Sequence, residues 1–171
     1  SDETAAYLES IRVHGKGFYK YENVRIGWNS RLDTIQAAVM LPKFQAFQEY
    51  ELERVNEAAA RYTQELKDIV KTPVIREHFY SSWAQYTIQL ENREERDRLQ
   101  GFLKEKGIPT MVYYPIPMHC QRAFEGLKLY QECPVTERLC QTVLSLPMHP
   151  YLEREEQERI AEAVKACLMR S

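Results

Sequence analysis

Two short stretches of this 171-residue chain hold the residues best suited to chemistry. Gly27, Asn29 and Arg31 stand just ahead of a helix start at Asp33. An anion such as a phosphate is held by backbone N–H groups that glycine frees, by side-chain amides and by guanidinium forks gathered in one place. The surroundings are basic: residues 11 to 31 contain Arg12, Lys16, Lys20, Arg25 and Arg31 against the single acid Glu22, in a chain of formal net charge −2. Neither a G-x-G-x-x-G spacing nor a Walker lysine accompanies them, so composition leaves two readings open, a phosphate-binding loop and a solvated basic loop. The second stretch is Tyr113-Tyr114-Pro115-Ile116-Pro117-Met118-His119. Adjacent tyrosines at a strand end, followed by a proline-stiffened turn, can present hydroxyls and ring faces to a polar ligand; equally, they can cap a sheet.

Other chemistries find less support. His119, Cys120 and His149 are metal-ligating types, but zinc ligands come in tight pairs backed by carboxylates, and no such pair is spaced here. No metal site is expected. No serine sits in a nucleophile-elbow motif, and order along the chain pairs no cysteine with a histidine.

The elements that must position these residues follow from periodicity. Residues 2 to 12 read as a short helix ended by His14-Gly15, and Phe18 to Arg31 as a loop long enough to be functional or packed on a partner. Asp33 caps the next helix, with Gln36 placed to reach back. Its first turns, Ile35 to Leu41, are apolar on nearly every side and need cover from the rest of the protein or another subunit. Pro42 is expected to kink or interrupt it. Beyond, Leu52, Val55, Ala59, Tyr62, Leu66 and Ile69 recur at helical spacing, a core-facing stripe opposite Glu53, Arg54, Glu57, Arg61 and Glu65. Val74-Ile75, Tyr86–Leu90, Ile108–Tyr113 and Leu144–Leu146 are expected to be strands. A helix opened by Asn92 and closed by Gly107 separates the middle two. Helices are also predicted from Pro134 to Val143 and from Glu153, the latter acidic at its start, with Lys165 and Arg170 near its end and Ile160, Val164 and Leu168 facing the sheet.

With 44% hydrophobic and 28% charged residues the chain belongs with globular proteins able to bury a core. Its slight negative charge excludes any general attraction to nucleic acid or anionic lipid. The start, Ser1-Asp2-Glu3-Thr4, is neither basic nor apolar, and no eighteen-residue apolar run occurs, so a cytoplasmic protein without a membrane span is expected. Cys120, Cys133, Cys140 and Cys167 form no C-x-x-C pair and read as reduced thiols.

Three segments, Arg12–Gly15, Arg25–Ala38 and Gly107–His119, resemble the DegT/DnrJ/StrS family of sugar aminotransferases, and Leu146–Pro150 with the last helix extends the likeness over essentially the whole chain. The resemblance implies an α/β chain, an α+β small domain at the C-terminal end of a fold-type-I aminotransferase, with a long helix leading into a small mixed sheet. Residues 1–32 would close the large domain and carry a cofactor and dimer loop, 33–70 would form the interdomain helix, and 71–171 the small domain. It further implies a homodimer that binds pyridoxal 5'-phosphate and moves an amino group, from a donor such as glutamate, onto a nucleotide-linked keto-sugar.

Asn29, in the Gly-x-Asn-x-Arg-Leu-Asp motif, would hydrogen-bond the cofactor phosphate of the neighbouring subunit. Arg31, Tyr113, Tyr114 and His119 would lie against substrate; many members carry histidine where this chain has Tyr113. The family's Schiff-base lysine lies upstream, in a Ser-x-x-Lys setting that no lysine here shares. No catalytic residue is therefore expected within these residues, which alone should not transaminate. The start falls mid-helix in the family's layout, favouring a truncated chain. A cofactor-dependent sugar dehydratase, with histidine in place of the lysine, and a stand-alone binding module are the alternatives.

Overall fold

The computed structural model describes residues 1–19, 21–124 and 132–169, in two compact units, Ser1–Phe47 and a second from Gln48 onward. Lys20 and Arg170, both weighed above for their charge, lie outside the described residues.

The first unit opens with α1 (Asp2–Arg12), whose first turn is tied to Ser1 Oγ by the Thr4 amide at 3.3 Å. The helix ends where His14 and Gly15 both turn left-handed, at φ 59° and 74°. This reversal lays residues 13–17 antiparallel to residues 22–30. The His14 amide donates to the Trp28 carbonyl (2.8 Å), Trp28 to Ile11 (2.7 Å), Ser30 to Arg12 (2.9 Å), Val24 to Gly15 (2.9 Å) and Gly17 to Glu22 (2.8 Å). Two glycines permit the approach: a Cβ on Gly15 would stand 1.8 Å from the Arg25 carbonyl oxygen, and one on Gly27 2.1 Å from the Gly15 nitrogen. The buried Ser10 completes the clamp by donating from Oγ to the Lys16 carbonyl (2.6 Å).

Helix α2 (Thr34–Ala46) begins where expected, with the Asp33 carboxylate accepting from the Ile35 amide (2.7 Å). Of the two effects expected of Pro42, an interruption does not occur: α-geometry continues to Ala46 and yields to one π-helical turn at Phe47–Glu51. A proline removes one intrahelical bond, and helical residues on both sides carry the chain past that single loss. The apolar cover expected for this helix is absent among the described residues of the chain. No residue of α2 is buried, and Ile35, Val39, Met40, Leu41 and Phe44 are all exposed.

The second unit is organised around an antiparallel pair, β1 (Tyr86–Gln89) and β2 (Val143–Leu146), in the register Tyr86↔Leu146. Helix α3 (Leu52–Leu66) buries Val55, Ala58, Ala59, Tyr62 and Leu66, close to the stripe read from sequence. Helix α4 (Arg93–Glu105) has its predicted ends, with Asn92 Oδ1 accepting from the Glu95 amide (2.9 Å) and Gly107 left-handed at φ 69°. Helix α5 (Pro134–Thr142) runs directly into β2, and α6 (Arg154–Leu168) buries Ile160 and Val164, with Leu168 packed at the core's edge.

Of the outer strands expected from sequence, Ile108–Tyr113 shrinks to one bridge, Met111↔Ser145, and Val74-Ile75 does not form, the chain ahead of it bridging only at Lys71↔Gln89. Pro73 and Pro109 have no N–H to extend a ladder, so Val74-Ile75 leaves the sheet and Val74 is exposed, while Ile108–Tyr113 pairs only at Met111. All described pairings are antiparallel, with no parallel pair of the kind a mixed sheet contains.

Tyr62 and Tyr86 are fully buried, their rings 5.0 Å apart. Tyr62 donates to the Pro147 carbonyl (3.1 Å) and the Tyr86 hydroxyl bonds Thr63 Oγ1 (2.8 Å). Burial pushes both phenols above the ordinary tyrosine range, Tyr62 further with help from the Glu156 charge.

Two expectations follow. Because the folded-state pKa exceeds the unfolded value, the stability these phenols supply is intact below about pH 10 and is lost as pH climbs through the folded-state pKa. Resistance to thermal unfolding should therefore fall at strongly alkaline pH, with tyrosinate absorbance of these two rings appearing together with unfolding. Gly15→Ala, which forces a Cβ against the Arg25 carbonyl, should cost more than about 2 kcal/mol locally. Hydrogen exchange should speed at His14, Trp28 and Ser30 while β1 amides keep their protection.

Candidate functional site

The backbone clamp decides what the basic loop can offer. The amides of Trp28 and Ser30 are engaged by the carbonyls of Ile11 and Arg12, so those amides form no anion cradle, and Gly27 serves close backbone approach instead. Side chains carry what remains. Arg12 pairs with Glu9 (2.7 Å), and the Arg25 guanidinium lies 5.0 Å over the Tyr7 ring. Asn29, whose backbone bridges Val13, and Arg31, two residues on, are exposed. Their carboxamide and guanidinium have no hydrogen-bond or ion-pair partner among the described residues. The structure thus presents an amide and a permanent cation outward, between a pinned backbone on one side and the capped start of α2 on the other.

The second unit holds the aromatic stretch. Tyr113 lines a cavity of about 230 Å³ together with Gln85, Thr110, Met111, Ser145, Pro147 and Met148. The wall is fixed from behind. Met111 and Ser145 exchange backbone hydrogen bonds (3.1 and 2.9 Å), the Ser145 and Thr87 hydroxyls meet at 2.8 Å, and Tyr62 holds Pro147. Beyond Pro150 the chain is tied down again, because Tyr151 donates to the buried Glu51 carboxylate, which holds the Tyr151 phenol well above its ordinary range. Tyr114 is exposed and does not line the cavity.

The turn after Pro117 closes as one 3₁₀ turn, Met118–Cys120, with the Cys120 amide on the Pro117 carbonyl (3.0 Å) and Gln121 Nε2 on Ile116 (3.3 Å). It delivers His119 to Glu137 on α5, with Nε2 and Oε1 3.2 Å apart. Cys120 Sγ is within 4.8 Å of both, which makes a group of three metal-type donors. His149, the third residue weighed from sequence, is not among them; its Nδ1 accepts from the Tyr151 amide (3.2 Å). The Nε2–Oε1 contact has the length of a hydrogen bond. No disulfide joins Cys120, Cys133, Cys140 or Cys167.

Of the residues singled out from sequence, Asn29 and Arg31 belong to the first unit and Tyr113, Tyr114 and His119 to the second. Gln85, Thr110 and Glu137 were missed. Gln85 lies just ahead of the strand read from Tyr86, Thr110 stands within the Ile108–Tyr113 run and the Gly107–His119 segment without being singled out, and Glu137 looked like any first-turn acid.

Known proteins supply the frame for this geometry. The model of the DegT/DnrJ/EryC1/StrS aminotransferase family matches residues 1–165. A UDP-2-acetamido-2-deoxy-3-oxo-D-glucuronate aminotransferase of Pseudomonas aeruginosa is 42% identical over 153 residues, covering 89% of this chain and 41% of that protein. The crystal structure of a DegT DnrJ EryC1 StrS aminotransferase from Brucella abortus is 44% identical, with TM-score 0.86, over 98% of this chain and 44% of that one. That of DesV from S. venezuelae, in complex with a ketimine intermediate, is 32% identical, with TM-score 0.86, over 97% of this chain and 44% of the other. The chain therefore spans less than half the length of these relatives. No described helix is long and apolar enough to cross a membrane. A family match over nearly every residue and the agreement of fold lead to one conclusion: this chain belongs to the DegT/DnrJ/EryC1/StrS aminotransferase family.

Proposed function

We propose that this chain is the C-terminal part of a cytoplasmic, homodimeric sugar aminotransferase that uses pyridoxal 5'-phosphate to pass an amino group from a donor such as glutamate to a nucleotide-linked keto-sugar. Residues 1–32 close the large domain, 33–70 form the interdomain helix and 71–171 the small domain. The observation that carries this reading is the outward presentation of Asn29 and Arg31, without partners among the described residues, beside a backbone pinned by hydrogen bonds that Gly15 and Gly27 permit. Groups so fixed act on something outside their own unit. The uncovered apolar residues of α2 alongside them support the same view, since a face of Ile35, Val39 and Phe44 calls for cover from another surface.

These residues fit a phosphorylated cofactor. A primary amide donates to a phosphate oxygen without adding charge, and Asn29 supplies one on backbone that cannot drift. When bound, pyridoxal phosphate supplies the electron sink that lets an amino group change carbon partners. Arg31 meets the diphosphate of the nucleotide sugar with a planar fork that matches phosphate oxygens. In the second unit, the Tyr113 and Tyr114 hydroxyls and the His119 ring orient sugar hydroxyls, with Tyr113 on the wall of the cavity. The lysine that would hold the cofactor covalently belongs, on this reading, to polypeptide outside these residues, which alone would be inactive.

In the enzyme carrying this chain, Asn29→Ala should weaken cofactor retention by about 1.5–3 kcal/mol, one hydrogen bond to a charged group. Equilibrium dialysis reads this directly, and unchanged retention would remove Asn29 from the phosphate site. Arg31→Ala should raise KM for the nucleotide sugar with little loss of cofactor. The reverse pattern would place Arg31 on the cofactor phosphate instead.

A further inference from the structure

We propose that Gln85 is a specificity-determining residue, and that the cavity beside Tyr113 takes an acylamino substituent of the sugar. The inference rests on the reading of Tyr113 as a substrate-side residue and deepens it by naming the chemical group that this cavity accepts.

Strand alternation decides what faces the cavity. Tyr86 and Ile88 of β1 pair with Leu146 and Leu144 of β2, and all four are buried in the core. The residues between them point to the opposite face of the pair. There the Thr87 and Ser145 hydroxyls meet at 2.8 Å, which marks the direction of that face. Gln85, two residues before Thr87, falls on the same side, as does Met111, which bridges Ser145. Val112 packs on the core, so its neighbours Met111 and Tyr113 face away from it. Gln85, Met111, Tyr113, Ser145 and Pro147 accordingly all line the one cavity.

The base from which Gln85 projects is fixed. Trp83 is left-handed at φ 46°, its indole donates to Asn56 Oδ1 (2.9 Å) and its amide donates to Ser81 Oγ (3.1 Å). On the other side of Gln85, Tyr86 is fully buried.

The lining then sets the chemistry. The Gln85 carboxamide and the Tyr113 hydroxyl have no hydrogen-bond partner among the described residues. Each can both donate and accept. Met111, Pro147 and Met148 add apolar surface beside them, and among the described residues no charged side chain lines the cavity. Such a wall fits a neutral group with an N–H, a carbonyl and a short apolar end, which is an acylamino substituent. A carboxylate would lose hydration there without gaining a cation. A hydroxyl would fill little of about 230 Å³, since one water takes up roughly 30 Å³ of liquid.

The test uses the enzyme carrying this chain and matched pairs of nucleotide-linked keto-sugars, in which an acetamido group replaces one hydroxyl, ring carbon by ring carbon. At one carbon the wild type should prefer the acetamido sugar in kcat/KM by about tenfold or more, the order of one well-placed hydrogen bond. Gln85→Leu, which keeps the bulk and removes the polar atoms, should erase most of that preference. A merely structural role would lower kcat/KM for both members of the pair and leave their ratio as it was. That result would overturn the proposal, as would a wild type without preference at any carbon. Should Gln85→Leu fail to fold, Gln85→Glu decides: it keeps the size but exchanges the donating NH₂ for a charged oxygen, and it should lose the preference too. A Tyr113→Phe variant with unaltered KM for every sugar would instead sink the reading of Tyr113 itself.

Discussion

A two-stranded antiparallel pair is marginal in water unless something covers it, and the second unit depends on covering β1 and β2. Ile88 and Leu144 are fully excluded from solvent, as are Tyr62 and Leu66 of α3, Leu99 and Leu103 of α4 and Val164 of α6, and all belong to one cluster. Burying such side chains contributes about 1.5–3 kcal/mol each before the entropy of ordering is subtracted. With the pair fixed, the segments that leave its edges are fixed too: Met111 by its bridge to Ser145, Pro147 by the Tyr62 hydroxyl, and α5 by its direct passage into β2. The cavity beside Tyr113 and the His119–Glu137 contact are consequences of that anchoring.

The first unit obeys a different constraint. It has little buried apolar surface and is held by backbone hydrogen bonds between residues 10–17 and 22–30, at a separation that only glycine at 15 and 27 allows. Such a clamp needs no core, and it leaves the intervening side chains facing outward. That arrangement suits a segment whose partners lie elsewhere, and it agrees with the exposure of Trp28, Leu32 and the apolar residues of α2.

Much of this was legible in the residues. Asp33 and Asn92 cap helices where side-chain oxygens preceding a helical period said they would, because a cap is a contact between near neighbours. The buried stripe of α3 and the pair β1 and β2 were likewise readable, since each repeats a local period. The interruption allowed for at Pro42 and the outer strands did not form, for the same reason in reverse. A proline's effect depends on the turns that flank it, and a β-rich run becomes a strand only where a neighbour offers matching N–H and C=O groups.

Taken alone, the sequence determined the capped helix starts at Asp33 and Asn92, the left-handed stop at Gly107 and the motif that gives the family away, because each depends on residue type within a few positions. Tertiary structure decided which amides of the basic loop were already engaged, which tyrosine lines the cavity, and that Glu137 meets His119 across 18 residues of separation. Those outcomes depend on distances between segments remote in the chain, and no local period encodes them.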